Sequence, residues 1–157
     1  MAGRRFVGYG TFKDHVECRG AIADPSDPYR QLIFFDNGLD VLEAGAVTVY
    51  RLDVRGGVSH LNSGGVQCAT ARISGHTGTA EFVHTGGALT CEGGLHIYND
   101  AVYRLEETGC ISAGYVSLNW YTAGPAEFIQ NGGTMTTGFF ALGKGSASYQ
   151  QNGGANT

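Results

Sequence analysis

The stretch AEFIQNGGTMTTGFFALGKGS, from Ala126 to Ser146, decides the fold because the chain around it says the same thing again. Upstream lie AEFVHTGGALTCEGGLHIYND, Ala80 to Asp100, and AVYRLEETGCISAGYVSLNWYTAGP, Ala101 to Pro125; downstream lies ASYQQNGGANT, from Ala147. Each unit opens with Ala, one variable residue and an aromatic, then comes to Gly or Gly-Gly. The openings are 21, 25 and 21 residues apart. A period in the twenties without a helical stripe predicts a solenoid, a chain wound into stacked rungs.

The glycines fit that reading. Gly pairs stand at 56–57, 64–65, 86–87, 93–94, 132–133 and 153–154, and glycine turns a strand through positive φ without steric cost. Gly64, Gly65, Gly86, Gly87, Gly132, Gly133, Gly153 and Gly154 are the expected turn residues. Between them, Leu95-His96-Ile97, Val116-Ser117-Leu118 and Phe140-Ala141-Leu142 fall at matching places with period-two alternation, the mark of a half-buried strand. Leu95, Ile97, Val116, Leu118, Phe140 and Leu142 are the expected core. Phe82, Tyr103, Phe128 and Tyr149 are expected to stack in one column. An antiparallel sandwich with Gly-rich turns is the competing architecture.

Upstream the repeat decays. Val58 to Thr79 aligns on Gly64-Gly65, and Val49-Tyr50-Arg51-Leu52 recurs as Val102-Tyr103-Arg104-Leu105. Short alternating runs continue at Phe12, Val16 and Cys18, at Leu32 to Phe34 and at Leu39, Val41 and Leu42. Turns are expected at Asp24–Pro28 and Asp36–Gly38. The fold expectation is therefore all-β: one parallel β-solenoid over residues 1–157, of about seven rungs with a period of about 21–25 residues and a length of about 30–35 Å at ordinary strand spacing. Residues 1–57 form divergent rungs, 58–157 regular ones, and the last rung is incomplete.

Composition narrows the function classes. Glycine, at 26 of 157 residues, is roughly twice its ordinary usage. Proline is scarce, and 42% hydrophobic residues with eight Phe and eight Tyr supply a core. A net charge of −4 gives no electrostatic reason to expect nucleic acid, and no apolar run is long enough for a helix to span a membrane. The basic N-terminus lacks an apolar segment after it, so it does not read as a signal peptide; an excised or mature piece of a longer protein is the favoured expectation, with an intracellular chain the other.

The segment from Gly8 resembles the autotransporter-passenger pattern G-x-G-x-x-x-G-x-V-x-x-x-G-x-I-x-P-G-x-S-P-G-x-L-x-F-x-G-x-L-x-L-x-x-G-A, matched by Gly8, Gly10, Val16, Gly20, Ile22, Ser26, Phe34, Gly38, Leu39, Val41, Gly45 and Ala46. Asp24 and Asp27-Pro28-Tyr29 depart from its Pro-Gly turn. The later units resemble the F-x-Q-x-G-G-T repeats of large bacterial surface proteins, with Phe128, Gln130, Gly132, Gly133 and Thr134 as the cleanest copy. The resemblance implies a parallel β-solenoid in an extracellular or surface-displayed bacterial protein, and it implies no catalytic residue.

Residues that carry chemistry elsewhere receive bland readings here. Cys18, Cys68, Cys91 and Cys110 have no Cys-x-x-Cys spacing, which leaves zinc little support. Cys68 and Cys91 fall in adjacent rungs, near enough for a disulfide; small buried hydrophobes are the favoured alternative. His15, His60, His76, His84 and His96 lack metal-site spacing and read as scattered surface residues, though His76 and His84 lie near turns where they could meet His60. Asp36, Asp40, Asp53, Glu106 and Glu107 read as solvated turn and face residues rather than the clustered acids of a polysaccharide-cleaving enzyme. No catalytic residue, metal or cofactor is expected.

Two places are singled out for binding. Trp120 and Tyr121 sit in the long 25-residue unit, whose extra residues must bulge as a loop, where they bind a sugar ring or partner or else fold back to cap the rung. Tyr149, Gln150, Gln151 and Asn152 lie on the last half-rung, an open strand edge of the kind that pairs with another chain. The leading functional expectation is a non-catalytic structural module, self-associating end to end as a homo-oligomer or filament. The alternatives are a glycan- or partner-binding solenoid using the Trp120 loop, and a fragment of a polysaccharide-degrading enzyme.

Overall fold

The computed structural model describes residues 5–6, 10–23, 32–120 and 124–157. The turn expected at Asp24–Pro28, the motif residue Gly8 and the loop residue Tyr121 lie outside them. The described chain is all strand and turn, without a helix, and every strand pairing is parallel. It winds into a β-solenoid.

Two sheets make the walls. One has seven strands: Val16–Cys18, Leu39–Val41, Gly57–Leu61, Ala80–His84, Ala101–Leu105, Ala126–Gln130 and Ala147–Gln151. They span about six turns, close to the seven rungs expected. The other sheet has eleven strands, with Ala46–Val54, Gly65–Ser74, Ala88–Tyr98 and Cys110–Leu118 as its long central members. Towards either end each long strand gives way to two short ones: Ala21–Ala23 and Leu32–Phe35 below Ala46–Val54, Thr134–Thr137 and Phe140–Leu142 above Cys110–Leu118.

Register is what makes the repeat work. Ala80, Ala101, Ala126 and Ala147 face one another in successive rungs, and so do the aromatics two residues on. The rings of Phe82, Tyr103 and Phe128 stack face to face at 5.2 and 5.1 Å. Tyr149 closes the column edge-on, at 5.6 Å from Phe128 and 62° to it. Offset-stacked aromatics contribute about 0.5–1.5 kcal/mol per pair beyond area burial. Below Phe82 the column continues with Ser59, whose hydroxyl accepts a hydrogen bond from the Leu39 amide.

The turn positions explain most of the glycines and correct one. Gly64, Gly87, Gly133 and Gly154 have φ of 75°, 74°, 65° and 78°, where a side chain would be strained and a Cβ would also meet a backbone atom of the rung below. Gly65 is not a turn residue. It pairs with Ala46 and Ala88 at the first position of the long strand, so the turn equivalent to Gly86-Gly87 is Ser63-Gly64. Gly93-Gly94 likewise lies within Ala88–Tyr98, where the register slips by one residue between Cys91 and Gly94.

Of the expected core, Leu95, Ile97, Val116 and Leu118 are wholly buried. Leu142 is not: it pairs in register with Leu118 yet is 53% exposed. Phe140 is half-buried. Both occupy inward positions; Tyr149 packs on Phe140 at 4.7 Å, but no described strand pairs on the far side of theirs.

Candidate functional site

The outer face of the eleven-stranded sheet carries the residues with the most chemistry. Outward positions alternate with core positions, and parallel register lines them up across rungs: Phe34, Asp53, Arg72, His96 and Ser117 are successive partners. Beside them run Arg51, Thr70, Gly94 and Tyr115. Gly94 leaves space that Tyr115 fills, since a Cβ there would collide with its ring. Tyr115 in turn stacks on Phe139 at 5.1 Å.

Asp53 is buried, and one carboxylate oxygen accepts hydrogen bonds from Arg51 at 2.8 Å from Nε and 2.5 Å from the terminal nitrogen. The other oxygen, Oδ1, is buried without a hydrogen-bond partner. Such an oxygen costs about 1–3 kcal/mol and calls for an explanation. Arg72, its neighbour in the column, makes no hydrogen bond or ion pair with any described residue. Arg51 and Arg55 both lie over the Phe34 ring, at 5.6 and 4.4 Å from its centroid.

His96 is held from two sides, by the Tyr115 hydroxyl at Nε2 and the Ser117 hydroxyl at Nδ1, each at 2.9 Å. Burial first, and the charge of Arg72 second, push its pKa below the ordinary histidine value. The ring is neutral at pH 7, with one nitrogen donating and the other accepting.

Two adjoining hollows run along this face. One of about 230 Å³ is lined by Arg72, His96, Tyr98, Ser117, Asn119 and Trp120. The next, about 150 Å³, is lined by Phe34, Arg51, Asp53, Arg55, Arg72 and Tyr98 among others. Arg72 and Tyr98 belong to both, so the hollows neighbour each other along one strip of the face. Trp120 is 48% exposed at its upper end, on the loop between Leu118 and Ala126, where the extra residues of the long unit were expected.

Other candidates divide. Cys68 and Cys91 do pair in register, their sulfurs 3.5 Å apart, and both are free thiols in the core. The hydrogen bond to Cys91, then burial, push the Cys68 thiol far above its usual range. Cys18 is also buried, but Cys110 is exposed. The reading of all five histidines as surface residues is corrected by His84, which is wholly buried. Its Nε2 lies 3.2 Å from the Gly87 carbonyl, so it donates there, and Nδ1 accepts from the Tyr103 hydroxyl at 2.9 Å. Burial lowers its pKa to about 4 and raises that of Tyr103.

The acids are not all solvated either. The Asp36 side chain is only 7% exposed and pairs with Lys13 and Arg55, both at 2.6 Å. Burial alone would raise its pKa, but those two cations outweigh it and hold the carboxyl below its ordinary value. Asp40 takes His60 at 2.8 Å and His15 at 3.1 Å. Glu106 accepts from Asn131 at 2.8 Å, and Asn131 accepts from Asn152 at 2.7 Å. Among the described residues no group of His, Cys, Asp and Glu has metal-binding geometry.

At the last rung, Tyr149 donates to the Gln130 side chain and Gln150 to Asn152, while Gln151 sits in register with Gln130 on the outermost strand of its sheet. No family model, characterised protein or solved structure matches the chain.

Proposed function

We propose that this chain is a non-catalytic structural module of a bacterial extracellular or surface protein that associates end to end, its last rung seating a second copy. The observation that carries the reading is the contrast between Leu118, wholly buried, and Leu142, its register partner, 53% exposed. Phe139 is 56% exposed beside it. The equivalent side chains of earlier rungs are covered by the rung that follows, and a strand edge at such a place is a template for pairing.

Charge argues for a copy of this chain as the occupant. From Phe128 onward Lys144 is the only charged side chain, and the rung instead carries the Asn131–Asn152 ladder, which further asparagines of an added rung extend. The first rungs are different: Lys13–Asp36 and Arg19–Glu43 ion pairs lie there, the type of edge that discourages pairing. Surface display rests on the resemblance to autotransporter passengers and F-x-Q-x-G-G-T repeats.

Light scattering coupled to size exclusion over a concentration series tests the reading. Mass is expected to rise with concentration for the unaltered chain, and Tyr149→Pro, which removes a strand amide from the edge, is expected to hold the protein as a monomer. An unaltered chain that stays strictly monomeric throughout overturns it.

A further inference from the structure

We infer that the strip joining Asp53, Arg72 and Trp120 is a binding groove for an acidic oligosaccharide, a chain of uronic acid residues. The site lies on a side wall of the solenoid, and the inference stands independently of end-to-end assembly.

Three independent features converge. The first is the pair of unmet polar groups. Arg72 lines both hollows and has no ion pair or hydrogen bond with a described residue, and Asp53 lines the second hollow, its Oδ1 buried just beneath the surface without a described hydrogen-bond partner. A guanidinium without a partner fits a carboxylate, which it can hold through two parallel N–H donors. A carboxylate oxygen without a partner fits a hydroxyl donor. A uronic acid carries both groups on one ring.

The second feature is the pairing of these groups with aromatic surface. Tyr98 lies between the two hollows and Trp120 at the upper end, half exposed. Such rings present flat apolar faces to the C–H face of a sugar while polar edges stay wet.

The third is repetition. Asp53, Arg72, His96 and Ser117 occupy one column on four successive strands, about 4.8 Å per step and about 14 Å in all. A linear oligosaccharide lying along the solenoid axis meets a new polar side chain at each step. His96, neutral and held by Tyr115 and Ser117, supplies a rigid floor rather than a second cation.

A nucleic acid would also offer anions and stacking rings. The uronate is favoured because a single ring brings a carboxylate for Arg72 and hydroxyl donors for Asp53 close together, whereas a nucleotide's phosphate and base lie further apart.

Isothermal titration with hexamers of galacturonate, mannuronate and guluronate, beside fully methyl-esterified hexagalacturonate and hexauridylate, tests the assignment. At least one uronate hexamer is expected to bind, with its esterified form weaker by about tenfold or more, the loss that follows from removing a charge-assisted pair. Arg72→Gln is expected to weaken the acid form by a similar factor and the ester hardly at all. Trp120→Ala is expected to weaken both. Arg19→Gln, on the first rungs, controls for net charge and should change neither. The inference is overturned if none of the uronates binds at millimolar concentration, if Arg72→Gln binds as the unaltered chain does, or if hexauridylate binds more tightly than every uronate.

Discussion

The inside and the outside of this solenoid use the same parts in opposite ways. Within it, Phe82, Tyr103 and Phe128 stack ring on ring, and the polar atoms that enter the column are paired: Tyr103 with His84, His84 with the Gly87 carbonyl. On the outer face an equally regular column, Asp53, Arg72, His96 and Ser117, leaves a buried carboxylate oxygen and a guanidinium without partners among the described residues. Stability explains the first column completely. It does not explain the second, and that residue of unmet valence is what separates a binding surface from a packed one.

The sharpest way to break this comparison is to remove the middle of the inner column. Tyr103→Ala deletes a wholly buried ring with neighbours stacked on both faces, and about 3–5 kcal/mol of unfolding free energy should go with it. Tyr149→Ala removes the half-buried ring at the open end and should cost well under half as much. Urea unfolding of the two variants measures the difference. Equal losses would show that the last rung is as well covered as the middle ones.

Acid probes the polar half of the same column. The His84 pKa is about 4 in the folded chain, below the ordinary 6.5. Below pH 6.5 the unfolded chain takes up a proton that the folded chain refuses. Stability is therefore fully present above that pH and falls as pH drops towards 4, by up to about 3 kcal/mol from this group. The double variant His84→Leu with Tyr103→Phe replaces both partners with apolar groups; Leu61 and Leu105 already flank His84 in register. It should keep most of its stability at pH 7 and lose much of that acid slope. Unfolding curves at pH 7, 5.5 and 4.5 decide; an unchanged slope would place the acid sensitivity elsewhere.

How much of this was legible in the sequence follows from what repetition encodes. Spacing and residue type carry register, so the parallel stack, the aromatic column, the Cys68–Cys91 juxtaposition and the position of the long loop could all be read from it. Burial at the ends could not: Leu142 has the right residue at the right phase, and only the missing cover exposes it. Nor could the Gly65 assignment, because Gly-Gly looks the same whether the turn uses the first glycine or the second. The outer strip was missed for a different reason. Arg72 and His96 lie outside the Gly and aromatic motifs, and Asp53 was read only as a solvated turn or face residue. The available signal was the register itself, which aligns all three once Gly64 is matched to Gly87.

Turn geometry separates the glycines that look alike. Gly133→Ala forces a side chain into φ of 65° and against the Gly109 carbonyl and Leu105, with an expected loss of about 1–3 kcal/mol. Gly65→Ala has only the Ala88 carbonyl oxygen within reach, at 3.7 Å, and should leave stability unchanged or raise it by about 0.5 kcal/mol, as alanine loses less chain entropy in a strand. Melting temperatures rank the pair directly.

The smallest expected effect bears most on the outer column. Arg72→Gln removes a charge that touches no described hydrogen-bonding or ionic partner, so stability should stay within about 0.5 kcal/mol of the unaltered chain. Arg55→Gln is the comparison, because it breaks the Asp36 pair at 2.6 Å and the contact over Phe34, and should cost about 1–3 kcal/mol by leaving the buried Asp36 carboxylate with Lys13 as its remaining described cation. If Arg72→Gln proves as costly as Arg55→Gln, the guanidinium is a structural part of the wall and the two columns differ in position only. A silent Arg72 leaves its placement in the groove, beside an unsatisfied acid, unexplained by folding and therefore free to answer to a ligand.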